Sequence, residues 1–290
     1  QEEALAQGAH LLVATPGRLL ELIKRETLCL AQIGALVLDE ADRLLDMGFI
    51  KEVQQILALL PAKRQSLLFS ATFCAALLDL AAQLLNNPKR IEMAPSNSVA
   101  TAIQEQGYSV NKGSKGAVLI HLLKQQAWPS ALIFVATRDE ADSLVKRLCK
   151  AGFQAEALHG DKSQAERSSV LARFRSGDLP LLVATDLAAR GVDIEALPLV
   201  INFELPEMAT TYVHRIGRTA RAGRTGLAIS LICHGDRPAL ANIEALMGTT
   251  LLLRQHPDFP LTDRPAAEGE AKRPPRDKQA NRRTAQKRSI

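Results

Sequence analysis

With 290 residues, 47% of them hydrophobic and 23% charged, the chain can bury one large core or two ordinary ones. No apolar run approaches the ~18 residues that span a bilayer, and no cationic, apolar secretion signal opens the sequence, which predicts a cytoplasmic protein without membrane contact. Residues 261–290 hold nine Lys or Arg against four acids, so the whole net charge of +5 lies in this tail. Four cysteines, Cys29, Cys74, Cys149 and Cys233, are far apart with no CxxC pair, so neither a disulfide framework nor a zinc site is suggested and reduced core thiols are expected.

In chain order, HLLVAT (10–15), ALVLDE (35–40), SLLFSAT (66–72) and RIEM (90–93) read as strands. PGRLLELIKRE and KEVQQILALLP read as the helices between them. Residues 94–102, small, polar and unpatterned, read as a linker. A second series follows from Tyr108: ALIFVAT (131–137), AEALHG (155–160), LPLLVATD (179–186), LVINFEL (199–205) and GLAISLIC (226–233). In ADSLVKRLCKAG, Leu144, Val145 and Leu148 share a helical face and Gly152 offers a C-terminal cap. Continuous apolar strands joined by helices predict an α/β protein with two parallel sheets: a first domain over 1–93, a second over 103–250, and a tail over 251–290. The tail's charge and prolines predict disorder and either a polyanion-binding arm, for RNA, or a plain solubilising segment.

In such folds ligands bind beyond the carboxyl ends of the strands. Polar residues collect there: Thr15, Gly17 and Arg18; Asp39, Glu40 and Asp42; Ser70 and Thr72; Thr137 and Arg138; Gly160 and Asp161; Thr185 and Asp186. An acidic pair after a buried strand suits a magnesium nucleotide site, one carboxylate holding the ion through water and the next activating a water; it also suits simple capping of the helix near Arg43. In YVHRIGRTARAGRTG, Arg218 and Arg221 fall three apart, on one side of a helix or turn, where two guanidiniums can grip phosphate oxygens; a solvated basic helix or a plain RNA contact has the same spacing.

ATPGR (14–18), LDEAD (38–42), SAT (70–72), ALIFVATR (131–138), HGDKSQAER (159–167), ATDLAARGVDI (184–194) and HRIGRTAR (214–221) together resemble the ordered motif series of DEAD-box RNA helicases, over about residues 1–250. The tail and the segment LHGDKSQAERSSVLARF resemble the bacterial branch linked to ribosome assembly and RNA turnover, which makes ribosomal precursors or RNA-decay complexes the implied partners. The resemblance implies two RecA-like domains that use ATP and Mg²⁺ to unwind short RNA duplexes or remodel RNA–protein complexes.

By the same resemblance, Asp39 holds magnesium through water and Glu40 activates the hydrolytic water. Asp42, Ser70 and Thr72 couple the nucleotide site to RNA, Asp193 meets the ribose, Arg218 and Arg221 meet the γ-phosphate, and His214 bridges the domains. Thr15, Gly17, Arg18, Thr137, Arg138, Gly160, Asp161, Gln164, Arg167 and Thr185 grip RNA, mainly through phosphate and ribose. Aromatic residues are 4% of the chain, which argues against a base-stacking surface.

No GxxxxGK[ST] phosphate loop occurs in the 290 residues; KGSKG (112–116) has the wrong spacing. With Gln1 in place of an initiating Met, the expectation is a fragment whose first domain is N-terminally truncated, exposes apolar edges and cannot hydrolyse ATP alone. Two other readings stay open: a non-hydrolysing RNA-binding or interaction module, and a DNA-directed helicase or translocase.

Overall fold

The computed structural model describes residues 1–73, 75–92, 103–126, 128–189, 194, 197–220 and 225–262. The expected linker, the tail from residue 263, Cys74, Asp193 and Arg221 lie outside the described residues.

The first part begins with α1 (Glu2–Ala6) and α2 (Pro16–Lys24), followed by β1 (Ala35–Leu38), α3 (Ala41–Asp46), α4 (Ile50–Leu59), β2 (Gln65–Leu68) and α5 (Ala75–Leu84). β1 and β2 pair in parallel, Ala35 opposite Gln65 through Leu38 opposite Leu68. Leu36 packs with Leu20, Leu30, Ile56 and Leu60, and Leu38 and Leu68 pack with Ala41, Val53, Leu77 and Leu80. The opposite face is open: Val37, Leu67 and Phe69 are exposed. The apolar exposure expected of this part is therefore present.

Two expected strands are absent. Residues 10–15 and 90–92 have no ladder, and Leu11, Val13 and Ile91 are 82%, 87% and 70% exposed. A strand is stable only where a neighbour takes its N–H and C=O groups and a core takes its side chains, and neither segment has these.

The second part comprises β3 (Ile103–Ser109), a short 3₁₀ turn at Lys112–Ser114, α6 (Lys115–Gln125), β4 (Ala131–Val135), α7 (Arg138–Lys150), β5 (Ala155–Leu158), α8 (Gln164–Ser176) and β6 (Leu181–Thr185). It continues with α9 (Asp186–Ala189), β7 (Leu199–Asn202), α10 (Ala209–Ile216), β8 (Gly226–Ile232), α11 (Arg237–Met247) and β9 (Leu253–Gln255). These strands form one seven-stranded parallel sheet, ordered β5-β6-β4-β7-β8-β3-β9.

Period-two alternation divides the strand side chains between two cores. Ile133, Val135, Leu181, Val183, Leu199 and Ile201 face one cluster, whereas Leu132, Phe134, Leu182, Ala184 and Val200 face the other. Burial on both faces is why these strands read as unbroken apolar runs. In α7, Leu144 and Leu148 are buried and Gly152 follows with φ +93°, the conformation glycine adopts without strain. KGSKG forms the 3₁₀ turn and the first residues of α6.

Two expectations are corrected. The tail does not start at residue 251, because β9 pairs with β3 from Gly107 opposite Leu253 to Ser109 opposite Gln255. Among the described residues the cysteines are not core thiols: Cys29 and Cys149 are exposed and Cys233 is half-buried.

Candidate functional site

β1 ends at Leu38 and its ladder continues through Phe69 N–H to Leu38 O (2.8 Å) and Ala41 N–H to Phe69 O (3.0 Å). This pairing sets the turn 38–42 against the turn 69–72. Asp39 is exposed and its Oδ1 accepts the N–H of Glu40 at 2.9 Å. Glu40 caps α3 in the left-handed region, φ 49° and ψ 48°, a conformation that costs a non-glycine residue about 1–3 kcal/mol and that clusters at functional sites. Its carboxylate pairs with Arg43, whose side chain is largely covered. Two oxygen-donor side chains beyond the carboxyl end of a parallel strand suit a magnesium ion held through its waters.

Asp42 is 1% exposed. Its Oδ2 accepts from Thr72 N–H at 2.9 Å and Thr72 Oγ1–H at 2.7 Å, and faces His214 Nε2 at 3.3 Å. Asp42 N–H donates to Ser70 Oγ at 3.3 Å, and Ser70 Oγ–H donates to Thr72 O at 2.7 Å. Burial pushes the Asp42 carboxyl up, but the bonds from His214 and Thr72 outweigh it and bring the pKa down to about 2. The turn is thus held around an ionised, buried carboxylate.

The partner of α3 is α10. Asp42 and Asp46 lie one turn apart on α3; His214 and Thr210 lie one turn apart on α10, and they meet in antiparallel order, His214 on Asp42 and the Thr210 hydroxyl on Asp46 Oδ2. The other face of α10 is anchored in the seven-stranded sheet. Tyr212 is buried and donates to Glu105 Oε2 of β3 at 2.7 Å. Arg215, 2% exposed, forms a bidentate pair with Asp186 (2.7 Å and 2.7 Å), donates to Asn202 Oδ1 (3.1 Å) and Glu204 O (2.6 Å), and stacks over the Phe134 ring at 4.9 Å. Arg43, Asp186, His214, Arg215 and Arg218 line one crevice between α3 and the ends of β4 and β6. Arg215 is committed to Asp186, Asn202 and Glu204 and so builds the wall of this crevice, on which Arg218 also lies.

The other candidates fall in two groups. β5, β6 and β4 are adjacent, so Gly160 and Asp161, Thr185, and Thr137 and Arg138 line up at one end of the sheet. Arg138 Nη1 spans two of these ends to Asp161 Oδ1 at 2.7 Å, and Thr137 caps α7 by accepting from Glu140 N–H at 3.2 Å. A capping box of Ser163 and Glu166 starts α8, placing Gln164 in its exposed first turn; Arg167 Nη2 reaches Ala188 O at 3.5 Å. Thr15, Gly17 and Arg18 instead open α2, where Thr15 is the N-cap and Arg18 binds Gln1 Oε1 and Glu21.

Sequence reasoning placed Asp186 at a strand end without a role and missed Arg43, Asp46, Thr210 and Arg215. The one-turn spacings of Asp42 with Asp46 and of Thr210 with His214 were a signal for two of them. Nothing in the sequence marks Arg215 as buried among its neighbours Arg218 and Arg221.

Residues 1–80 match the family described as DEAD/DEAH box helicase, and residues 114–223 match the helicase conserved C-terminal domain. The DEAD-box ATP-dependent RNA helicase CshA of Geobacillus kaustophilus is 42% identical over 244 residues, 84% of this chain and 52% of that protein. The chain spans about half the length of the curated relatives it matches first. Among solved structures, S. cerevisiae Dbp5 bound to RNA and ADP BeF3 is 34% identical with a TM-score of 0.74, covering 86% of this chain and 66% of that one. The E. coli DEAD-box protein SrmB, bound to regulator of ribonuclease activity A, is 36% identical with a TM-score of 0.54, over 57% of this chain and 98% of that one.

Proposed function

Because the chain belongs to the DEAD/DEAH box helicase family, we propose that it carries part of an RNA-dependent ATPase that unwinds short RNA duplexes or remodels RNA–protein complexes in the cytoplasm. The observation that carries this reading is Asp42 Oδ2, where the SAT turn, the LDEAD turn and the helix of HRIGR meet.

The residues take these roles. Asp39 holds Mg²⁺ through water, and Glu40, turned by its left-handed backbone, orients and deprotonates the attacking water. Arg218 and Arg221 neutralise charge on the γ-phosphate, Asp193 binds the ribose, and Arg215 acts as the anchor that aims α10. Magnesium-bound ATP supplies the phosphoanhydride bond that is cleaved. Ser70, Thr72 and His214 around Asp42 report the state of that site to the RNA-contacting residues, Thr15, Gly17 and Arg18 in one part, Thr137, Arg138, Gly160, Asp161, Gln164, Arg167 and Thr185 in the other. The likeness to the RNA- and nucleotide-bound Dbp5 chain supports α3 facing α10 as the closed arrangement.

The proposal divides the chain into a partial ATP-binding domain over 1–93, a linker over 94–102 and a second RecA-like domain from 103. Ribosomal precursors and RNA-decay complexes are the proposed settings. Since the 290 residues hold no GxxxxGK[ST] loop, the triphosphate needs a cradle from outside them, and these residues alone are proposed to bind RNA without hydrolysing ATP.

The test is phosphate release from ATP, with and without single-stranded RNA, by the 290 residues and by a version extended upstream to include a phosphate loop. RNA-stimulated release by the extended version, abolished by Glu40→Gln, is expected. Release by the 290 residues alone would overturn the assignment of the cradle; RNA binding with no release by either version would favour the non-hydrolysing module. Competition by DNA of the same sequence tests the preference for RNA.

A further inference from the structure

The segment after β9 folds against α6 and closes a side-chain cluster remote from the crevice. His121 of α6, His256 and Asp258 each offer one ligand atom, and these atoms all lie within 4.8 Å of one another. His121 Nε2 is 3.7 Å from Asp258 Oδ2, and His256 Nδ1 is 4.0 Å from the same oxygen. Gln125, one turn beyond His121, holds its amide 2.9 Å from His121 Nε2 and 3.4 Å from His256 Nε2. The two imidazoles pack edge to face at 4.5 Å, and Phe259 lies against both, at 5.6 Å and 5.5 Å. His256 is 8% exposed, whereas the Asp258 side chain is 68% exposed, so the cluster has an apolar wall and an open mouth.

The geometry points to a divalent transition-metal site, of the kind that takes Zn²⁺, formed by His121 Nε2, a ring nitrogen of His256 and Asp258 Oδ2. Metal–ligand bonds of ~2.0–2.2 Å place tetrahedral donors about 3.4 Å apart, so small side-chain rotations complete the triangle. A rotation of the Gln125 amide puts its oxygen at the fourth corner, which water can also take. Two imidazoles with one carboxylate favour zinc-like ions over magnesium or calcium, which prefer all-oxygen sets. An ion there joins residues 135 positions apart and ties the segment that follows β9 to α6.

The test uses the full 290-residue chain without a polyhistidine tag, cleared of metal with a chelator and titrated with Co²⁺, then Zn²⁺. One equivalent of Co²⁺ should give the visible absorption of a four-coordinate ion and be displaced by one equivalent of Zn²⁺, and Zn²⁺ should raise the thermal midpoint. His121→Ala and Asp258→Asn, both at accessible side chains, should each weaken Zn²⁺ binding by more than about tenfold, with His10→Ala as an unaffected control. Absence of saturable binding, or binding equally tight in the His121→Ala/Asp258→Asn double variant, would overturn the site and leave an aromatic packing cluster.

Discussion

His214 Nε2 stands 3.3 Å from Asp42 Oδ2, the oxygen that also accepts both the N–H and the O–H of Thr72, although 172 positions separate the two residues. The carboxylate thus links two turns of one sheet to a helix anchored in another. Its pKa falls from 3.8 to about 2, so the ionised form stabilises the fold by about 2 kcal/mol above pH 4, and this is lost as pH falls through about 2. Asp42→Asn should lower stability by that amount at pH 5, and its deficit relative to the parent should shrink toward pH 2. Urea unfolding at both pH values checks this, and a deficit independent of pH would remove the ionised carboxylate from the account.

Arg215 and Asp186 make a bidentate pair under the Phe134 ring, with further bonds to Asn202 and Glu204. Removing one partner strands the other charge. Arg215→Ala should therefore cost about 3–5 kcal/mol of stability, read by urea unfolding, and Arg215→Lys should recover only part because ammonium cannot fork. Loss of α10 anchoring should also appear as faster amide exchange at His214.

Burial, then a hydrogen bond and charge repulsion from Glu204, raise the Glu140 carboxyl from 4.5 to about 7. The folded chain therefore holds a proton that the unfolded chain releases, and the pair's contribution to stability falls as pH rises from 4.5 through 7. Glu204→Gln should raise the thermal midpoint at pH 8 and leave it nearly unchanged at pH 4. An equal rise at both would show that repulsion is not the cause.

A Cβ on Gly226, where β8 begins, would sit 1.7 Å from Thr219 Oγ1 and 2.7 Å from Ala220 N. Thr219 cannot yield freely, since its hydroxyl binds Leu197 O and its strand bridge joins Leu197. Gly226→Ala should cost about 1–3 kcal/mol, the usual penalty of forced overpacking. The thermal midpoint should drop without loss of helical or strand content by circular dichroism.

The sequence carried most of the second sheet because its strands are buried on both faces: in ALIFV every side chain meets a core, and the helix ADSLVKRLCK shows its apolar stripe. It misread HLLVAT and RIEM for the complementary reason. Their composition favours a strand, but a strand also requires a neighbour, and Leu11, Val13 and Ile91 remain in solvent. The edge strand β9 was missed because three residues, Leu253–Gln255, leave no period to read.

By itself the sequence determined which residue types stand at the strand ends, since order and spacing along the chain are local properties: Asp39, Glu40 and Asp42 after one apolar run, Thr185 and Asp186 after another, and His214, Arg218 and Arg221 in one basic segment. Only the tertiary structure decided which of them meet. Asp42 faces His214 and Asp46 faces Thr210 because two helices anchored in different sheets pack in antiparallel order, and Arg215 turns inward to Asp186 while its neighbour Arg218 lines the crevice. His121, His256 and Asp258 are joined by the same kind of relation, fixed by where an edge strand docks rather than by any spacing in the chain.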